Sequence, residues 1–287
     1  MEQVIVYNVE HHEAMGVLIV IYFFLSGLGA GAFLTAAGLR LFGGEKYARI
    51  EKTAAIAAPL LLMPGLLCLV IELGKPLRFL NMFFYFNPSS VASWGVWVIN
   101  IFLAIAVLYA FLHVIGKAGM VRPLAYLGFV FALAVGFYSG MLLYQMHGYI
   151  LWHSALIPVI FLVSAIASGL AVVLLLSGSA DADQTRVLSK VLAVVVGVDL
   201  VLALTEVLTL AWSSGEKAAV AEVILSGGYG FLFIGVYLIA GLVLPLMVLA
   251  RQRTSRNVQV VAAVLVLVGT LAMRYVIVMG GQALPLS

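Results

Sequence analysis

Charge is scarce in this sequence: Asp, Glu, Lys and Arg together make 9% of its 287 residues, against about a quarter in a soluble globular domain. A net charge of +3 is too small to mark a nucleic-acid surface. Cysteine is rarer still. Cys68 stands alone, so no internal disulfide can form and no iron–sulfur cluster can be held, and the redox compartment cannot be read from it. Histidines number five, His11, His12, His113, His147 and His153. A haem held between membrane helices needs two facing histidines, and none of these sits mid-span opposite another. Zinc patterns, phosphate loops and nucleophile elbows are missing as well. What remains in excess is apolar: 64% of the residues are hydrophobic and the mean hydropathy is +1.19.

A helix rises about 1.5 Å per residue, so a hydrocarbon core of about 30 Å takes roughly 20 apolar residues. Such runs fall at 15–42, 53–73, 94–115, 123–144, 156–177, 188–212, 229–250 and 258–278. They are continuously apolar, without the alternation of a membrane barrel, so helices are the structure that satisfies the backbone in lipid. The predicted fold is an all-α integral membrane protein of eight transmembrane helices in two four-helix bundles, residues 15–155 and 156–287, after a tail at 1–14.

Basic residues sort by side. Arg40, Lys46, Arg49 and Lys52 lie around the first connection, Lys117 and Arg122 around the third, Arg186 and Lys190 around the fifth, and Arg251, Arg253 and Arg256 in the seventh. The other side has Lys75, Arg78 and Lys217. The positive-inside rule then places the odd connections in the cytoplasm and both termini on the outer, periplasmic side of the inner membrane. The tail carries Glu2, Glu10 and Glu13 and no Lys or Arg, which suits export and does not resemble the basic start of a cleaved signal peptide.

Ser26-Gly27-Leu28-Gly29-Ala30-Gly31 in span one has an echo in Ser164-Ala165-Ile166-Ala167-Ser168-Gly169 in span five, and each is followed one span later by a glutamate, Glu72 and Glu206. Two parallel four-helix halves would produce this echo; a chance match between small-residue spans would too. Small residues at this spacing let helices approach closely in lipid. The most distinctive passage follows span two: Glu72-Leu73-Gly74-Lys75-Pro76-Leu77-Arg78-Phe79, then Phe86-Asn87-Pro88-Ser89-Ser90, then Ser93-Trp94-Gly95. With the first glycine run, Gly136-Phe137-Tyr138-Ser139-Gly140, Trp152 before Pro158, and Arg274 through Gly280-Gly281-Gln282, the sequence resembles the NrfD/PsrC family over essentially its full length.

That resemblance implies an eight-span subunit with no haem or metal of its own and not catalytic alone. It implies exchange of electrons between a quinone pool, menaquinone being the expected species, and a ferredoxin-like multi-cluster iron–sulfur subunit on the outer face, commonly attached to a molybdopterin catalytic subunit. It also implies a quinone head-group meeting a tyrosine on span four, matched by Tyr138, and polar residues on span one. There the sequence departs from the pattern: Tyr22 stands where a histidine is expected and Ile19 where an asparagine is. The residues suit the role. Tyr138 and Tyr22 each fall about 9–10 Å inside the outer ends of their spans, and Glu72, Ser93 and His147 lie on the same side. Tyrosine donates without adding fixed charge, and histidine titrates near neutrality, so such groups can hold two carbonyl oxygens and pass protons. Duller readings stand beside these: tyrosines as interfacial belt residues, Lys75 and Arg78 pinning a structural loop with Asn87 through Glu72, and His147 as a solvated residue.

In the second half, Asp199 lies near mid-membrane with Glu206 seven residues on along the same helical face, and Arg274 on span eight reaches the depth of Glu206. An acid at that depth costs about 2.5–3.5 kcal/mol, so a functional reading is the default. Asp199, Glu206, Thr205, Thr209 and Arg274 could form a proton pathway, or Glu206 and Arg274 could pair and lock two spans together. The rival for the whole protein is a secondary transporter, which also uses related halves and intramembrane charge. Pro59, Pro64 and Pro245 are expected to bend their spans.

Overall fold

A computed structural model describes residues 15–74, 81–178, 182–251 and 255–283, apart from the side chains of Met82, Ala118 and Glu216. Lys75, Arg78, Phe79, His11, His12 and Arg253 lie outside those residues. Every regular element among the described residues is helical. Eight helices are long and apolar enough to cross a membrane: α1 Val17–Gly43, α2 Glu45–Glu72, α3 Val91–Val114, α4 Arg122–Tyr144, α5 Leu156–Leu176, α6 Ala182–Ala211, α7 Phe231–Leu249 and α8 Arg256–Gly280. This is a multi-pass membrane protein. Among the described residues, two short α-helices, Asn81–Phe84 and Glu216–Ala221, sit in connections.

The helices differ from the apolar runs at their ends for a physical reason. α2 begins eight residues before its apolar run and α6 six before. Their first turns carry Arg49, Glu51 and Lys52, or Asp183 and Arg186, charged residues that a helix accepts, an acid in its first turn included, and that hydropathy excludes. α2 continues as α-helix through Pro59 and Pro64. In α7 the chain is π-helical over Phe231–Val243 and returns to α-helix from Leu244, next to Pro245, which cannot donate to the preceding turn.

α1 is the central helix, packed against α2, α4, α5 and α8, and the small-residue run Ser26–Gly31 on it is wholly buried. Its approach to α5 is as close as backbones allow. A Cβ on Gly31 would overlap the Ala165 carbonyl, and one on Gly169 would overlap the Gly31 backbone. Gly31 and Gly169 are equivalent positions of the two similar runs, and here they face one another. Gly241 of α7 meets Gly269 of α8 in the same way. Buried hydroxyls in this interface are satisfied within their own helices: Ser164 donates to the Phe161 carbonyl and Ser168 to that of Ala165, each at 3.1 Å.

Both described ends of the chain reach one face, hereafter the terminal face. The side-chain amide of Gln282, just after α8, donates to the Met15 carbonyl at 3.0 Å and accepts from the Met15 amide at 2.9 Å. The opposite, basic face carries Arg40, Lys46, Lys117, Arg122, Arg186 and Lys190.

Candidate functional site

Glu72 is positioned by the end of α2 at the terminal face, where its Oε1 accepts the Gly16 amide at 2.7 Å. The amides that open α1 lack partners within the helix, so a carboxylate there satisfies one of them and suits the positive end of the helix. A Cβ at position 16 would displace that carboxylate from its present place. Across the same face, the fully buried Trp152 donates from Nε1 to the Ile277 carbonyl at 2.7 Å and lies against Gly281, where a Cβ would overlap its ring. Motifs far apart in sequence, Glu72, Trp152 and Gly280-Gly281-Gln282, thus meet around the entry to α1.

Tyr22 lies six residues below Gly16 on α1, and Tyr138 six residues inside the end of α4, so both phenols sit about 9 Å beneath the terminal face. Their helices, α1 and α4, pack against each other. Tyr22 is wholly buried, and its hydroxyl has no hydrogen-bond partner among the described residues. The Tyr138 ring lies directly on Gly95 of α3, where any Cβ would overlap it. Two residues before that glycine, Ser93 is buried and its hydroxyl accepts the Asn87 amide at 3.4 Å. Asn87 also closes a turn by accepting the Ser89 amide on Oδ1 at 3.0 Å. Gln145, at the end of α4, holds this turn by accepting the Val91 amide at 3.1 Å. The loop before α3 and the end of α4 are thereby fixed to each other beside Tyr138. His147 is not brought to the tyrosines. It is exposed, with its ring 4.9 Å from that of His153, which in turn stacks on Tyr144 at 4.9 Å.

Asp199 and Glu206 are buried on one side of α6, at 0% and 5% exposure. Asp199 accepts from the Tyr237 hydroxyl of α7 at 3.2 Å, and its Oδ2 has no partner among the described residues. The expected pairing of Glu206 with Arg274 is not formed. Glu206 accepts instead from Ser154 Oγ at 2.8 Å. Arg274 turns the other way, donating from one Nη to the Phe161 carbonyl at 3.2 Å and to Ser164 Oγ at 3.3 Å, with its guanidinium 4.3 Å from the Phe161 ring centroid. The space it enters is opened by Gly27, where a Cβ would come within 2.8 Å of the guanidinium. Depth along the membrane is shared by Glu206 and Arg274; direction around their helices is not. Thr205 also leaves the expected row: it is exposed, facing away from Asp199 and Glu206, and its hydroxyl donates to the Val201 carbonyl at 2.8 Å. Tyr237 and Ser154, absent from the sequence reading, take the places next to the acids. A cavity of about 340 Å³ beside Glu206 is lined by His153, Ser154, Thr209 and Lys217. A gap of about 10 Å³ lies near Glu206 and Tyr237, walled by apolar groups such as Ile160, Phe233 and Ile277.

The profile of the family described as "Polysulphide reductase, NrfD" matches residues 8–285. The chain belongs to the NrfD family. Among its relatives are the C chain of polysulfide reductase from Wolinella succinogenes, 29% identical over 299 residues that cover 92% of this chain and 93% of the relative, and the C subunit of selenate reductase from Mesobacillus selenatarsenatis, 25% identical over 321 residues, 96% of this chain and 75% of the relative. An Hdr-like menaquinol oxidoreductase integral membrane subunit of Archaeoglobus fulgidus is 30% identical over 148 residues, 52% of this chain and 38% of the relative.

A second polar cluster in this NrfD-family protein went unread in the sequence. At the basic face, Glu51 Oε1 accepts from the Tyr109 hydroxyl at 2.9 Å and meets His113 Nε2 at 2.9 Å, while Oε2 lies 3.8 Å from Arg40. His113 Nδ1 faces the Tyr109 carbonyl at 2.9 Å, so it must be the donor there. The signal existed in the spacing of Tyr109 and His113, four apart on one helical face, but Glu51 sits where hydropathy still reads a connection. Among the described residues no three His, Cys, Asp or Glu side chains cluster as metal ligands would.

Proposed function

We propose that this NrfD-family membrane subunit binds quinol or quinone beneath the terminal face, between Tyr22 and Tyr138, and exchanges electrons with an iron–sulfur subunit docked on that face. The observation that carries the reading is the Tyr22 hydroxyl. Leaving a buried donor unpaired costs about 1–3 kcal/mol, and buried polar groups are ordinarily satisfied. A site that keeps one empty-handed, beside a second phenol for which α3 gives up a side chain, suits a ligand with two acceptor oxygens. Oxidation of one quinol releases two electrons and two protons. The electrons pass to the partner; Glu72 and the exposed His147 lie on the side where the protons leave. One relative is by name a menaquinol oxidoreductase subunit, which supports menaquinol as the quinol. Relatives that are by name single components of larger reductases support a multi-subunit setting, for which a ferredoxin-like subunit and a molybdopterin catalytic subunit are proposed, in the inner membrane.

Asp199, Glu206 and Arg274 are proposed to couple this chemistry to proton movement, with Tyr237 and Ser154 as the intervening hydroxyls in place of Thr205. The transporter reading rests on the same three charges, but the relatives are reductase and oxidoreductase subunits by name. In the purified complex, Tyr138→Phe should slow quinol-driven reduction of the partner's clusters about tenfold or more, the effect of one lost hydrogen bond of about 1.4 kcal/mol. Unchanged reduction would sink the site. In vesicles, Asp199→Asn should keep quinol turnover and lose the accompanying proton uptake; uptake that persists would leave the charges as a structural lock.

A further inference from the structure

A cavity of about 480 Å³ opens among α1, α4, α5 and α6 near the basic face, away from Tyr22 and Tyr138. Leu34, Leu133, Ile166 and Leu170 line its deep part, and Phe42 and Lys46 its mouth. Leu133 lies eleven residues into α4 and Ile166 ten residues before the end of α5. The cavity therefore descends about 15 Å, half of a hydrocarbon core of about 30 Å and so the depth of one leaflet.

Local structure holds this space open. α1 ends in a π-helical turn, Leu39–Gly43, that widens the helix at the mouth. Gly38 faces a void in which a Cβ would meet no atom within 4 Å. The turn that carries Lys46 is tied across to α6, since Gln184 Nε2 donates to the Lys46 carbonyl at 2.8 Å. Thr35, the hydroxyl on the deep wall, is spent on the Gly31 carbonyl at 2.9 Å, so that wall offers an occupant apolar contact and no side-chain hydroxyl donor. Phe42 is 84% exposed at the rim. The Lys46 ammonium, 5.1 Å from the Tyr47 ring centroid, supplies a cation at the headgroup level, and Lys190 lies beside the lining residue Val191. Arg186 is already paired with Asp183 at 3.2 Å.

An apolar slot one leaflet deep under a lysine suits a lipid chain that carries an anionic head. We propose that the cavity holds an acyl chain of an anionic phospholipid whose phosphate rests on Lys46, as basic pockets between membrane helices hold anionic headgroups. A quinone is a poorer fit here, because the deep wall presents no donor for its carbonyl oxygens.

Gly38→Leu sends a side chain into the slot from a position where its Cβ meets no atom within 4 Å, and Lys46→Glu reverses the charge at an exposed position. The complex containing this protein would be stripped of lipid in detergent, refilled with phosphatidylglycerol or phosphatidylcholine, and its retained lipid counted by native mass spectrometry. Wild type should keep one more phosphatidylglycerol than Gly38→Leu and prefer it over phosphatidylcholine, and Lys46→Glu should lower that retention at least tenfold. Equal retention of both lipids in wild type, equal phosphatidylglycerol in all three proteins, or a quinone extracted from the slot overturns the proposal. Should Gly38→Leu fail to fold, the surface variant decides alone.

Discussion

At the scale of single residues, an unpaired buried hydroxyl separates function from stability. Removing it from Tyr22 takes away a group that the resting protein leaves unsatisfied, so Tyr22→Phe should stabilise the fold by about 1 kcal/mol while slowing quinol-driven reduction. Thermal unfolding in detergent and turnover of the same preparation check this. A fall in both would mean that the hydroxyl has a structural partner, and the argument for a ligand there would fail. The depth of Tyr22 and Tyr138 was legible from the sequence, because residue counting along a helix gives height to within a turn. Azimuth was not. Arg274 was matched to Glu206 on height, yet its side chain enters the opening at Gly27 toward Ser164, where only the packing of α1 on α5 reveals room for it. Thr205 was counted with the acids for the same reason. Glu51 was missed because a charged first turn of helix is indistinguishable, by hydropathy, from a connection.

At the scale of helices, the glycines divide into those that set a contact and those that border a void. A Cβ at Gly31 has backbone in its way on α5, which cannot yield as a side-chain tip can. Gly31→Ala should therefore cost about 1–3 kcal/mol by overpacking. Gly38→Ala has nothing to strike and a right-handed helical backbone, so it should gain about 0.5–1 kcal/mol from reduced chain entropy. Unfolding midpoints of the pair check the contrast; a loss of equal size at both positions would show that helix propensity, not the α1–α5 approach, governs them. The eight helices themselves were evident from apolar length, since a bilayer demands it. The wide π-helical course of α7 was not: register within a helix depends on neighbours such as Gly269 behind Gly241, and an apolar run carries no mark of it.

At the scale of the whole molecule, the quinone reading requires that the terminal face be the outer one, because the entry to α1, both tyrosines and the exposed histidines all lie there. Eight spans bring both ends to that face whichever way the chain is inserted, so the fold alone leaves the choice open, and charge makes it. Lys117, Arg122, Arg186, Lys190 and the cluster from Arg40 to Lys52 crowd the opposite face, and on the positive-inside rule we propose that this face is the cytoplasmic one. We propose further that the halves before and after residue 155 are a parallel repeat, and the facing pair Gly31 and Gly169 supports it, since equivalent positions meet where a two-fold axis along the membrane normal passes. Such a repeat gives both halves the same direction, so one pair of reporters tests the entire chain. With Cys68→Ala as background, a membrane-impermeant maleimide applied to intact spheroplasts should label Ser214→Cys, on the terminal face, and spare Lys117→Cys until the cells are opened. The reverse pattern would turn the tyrosine site toward the cytoplasm, and a partner taking electrons from quinol would then have to dock from inside the cell.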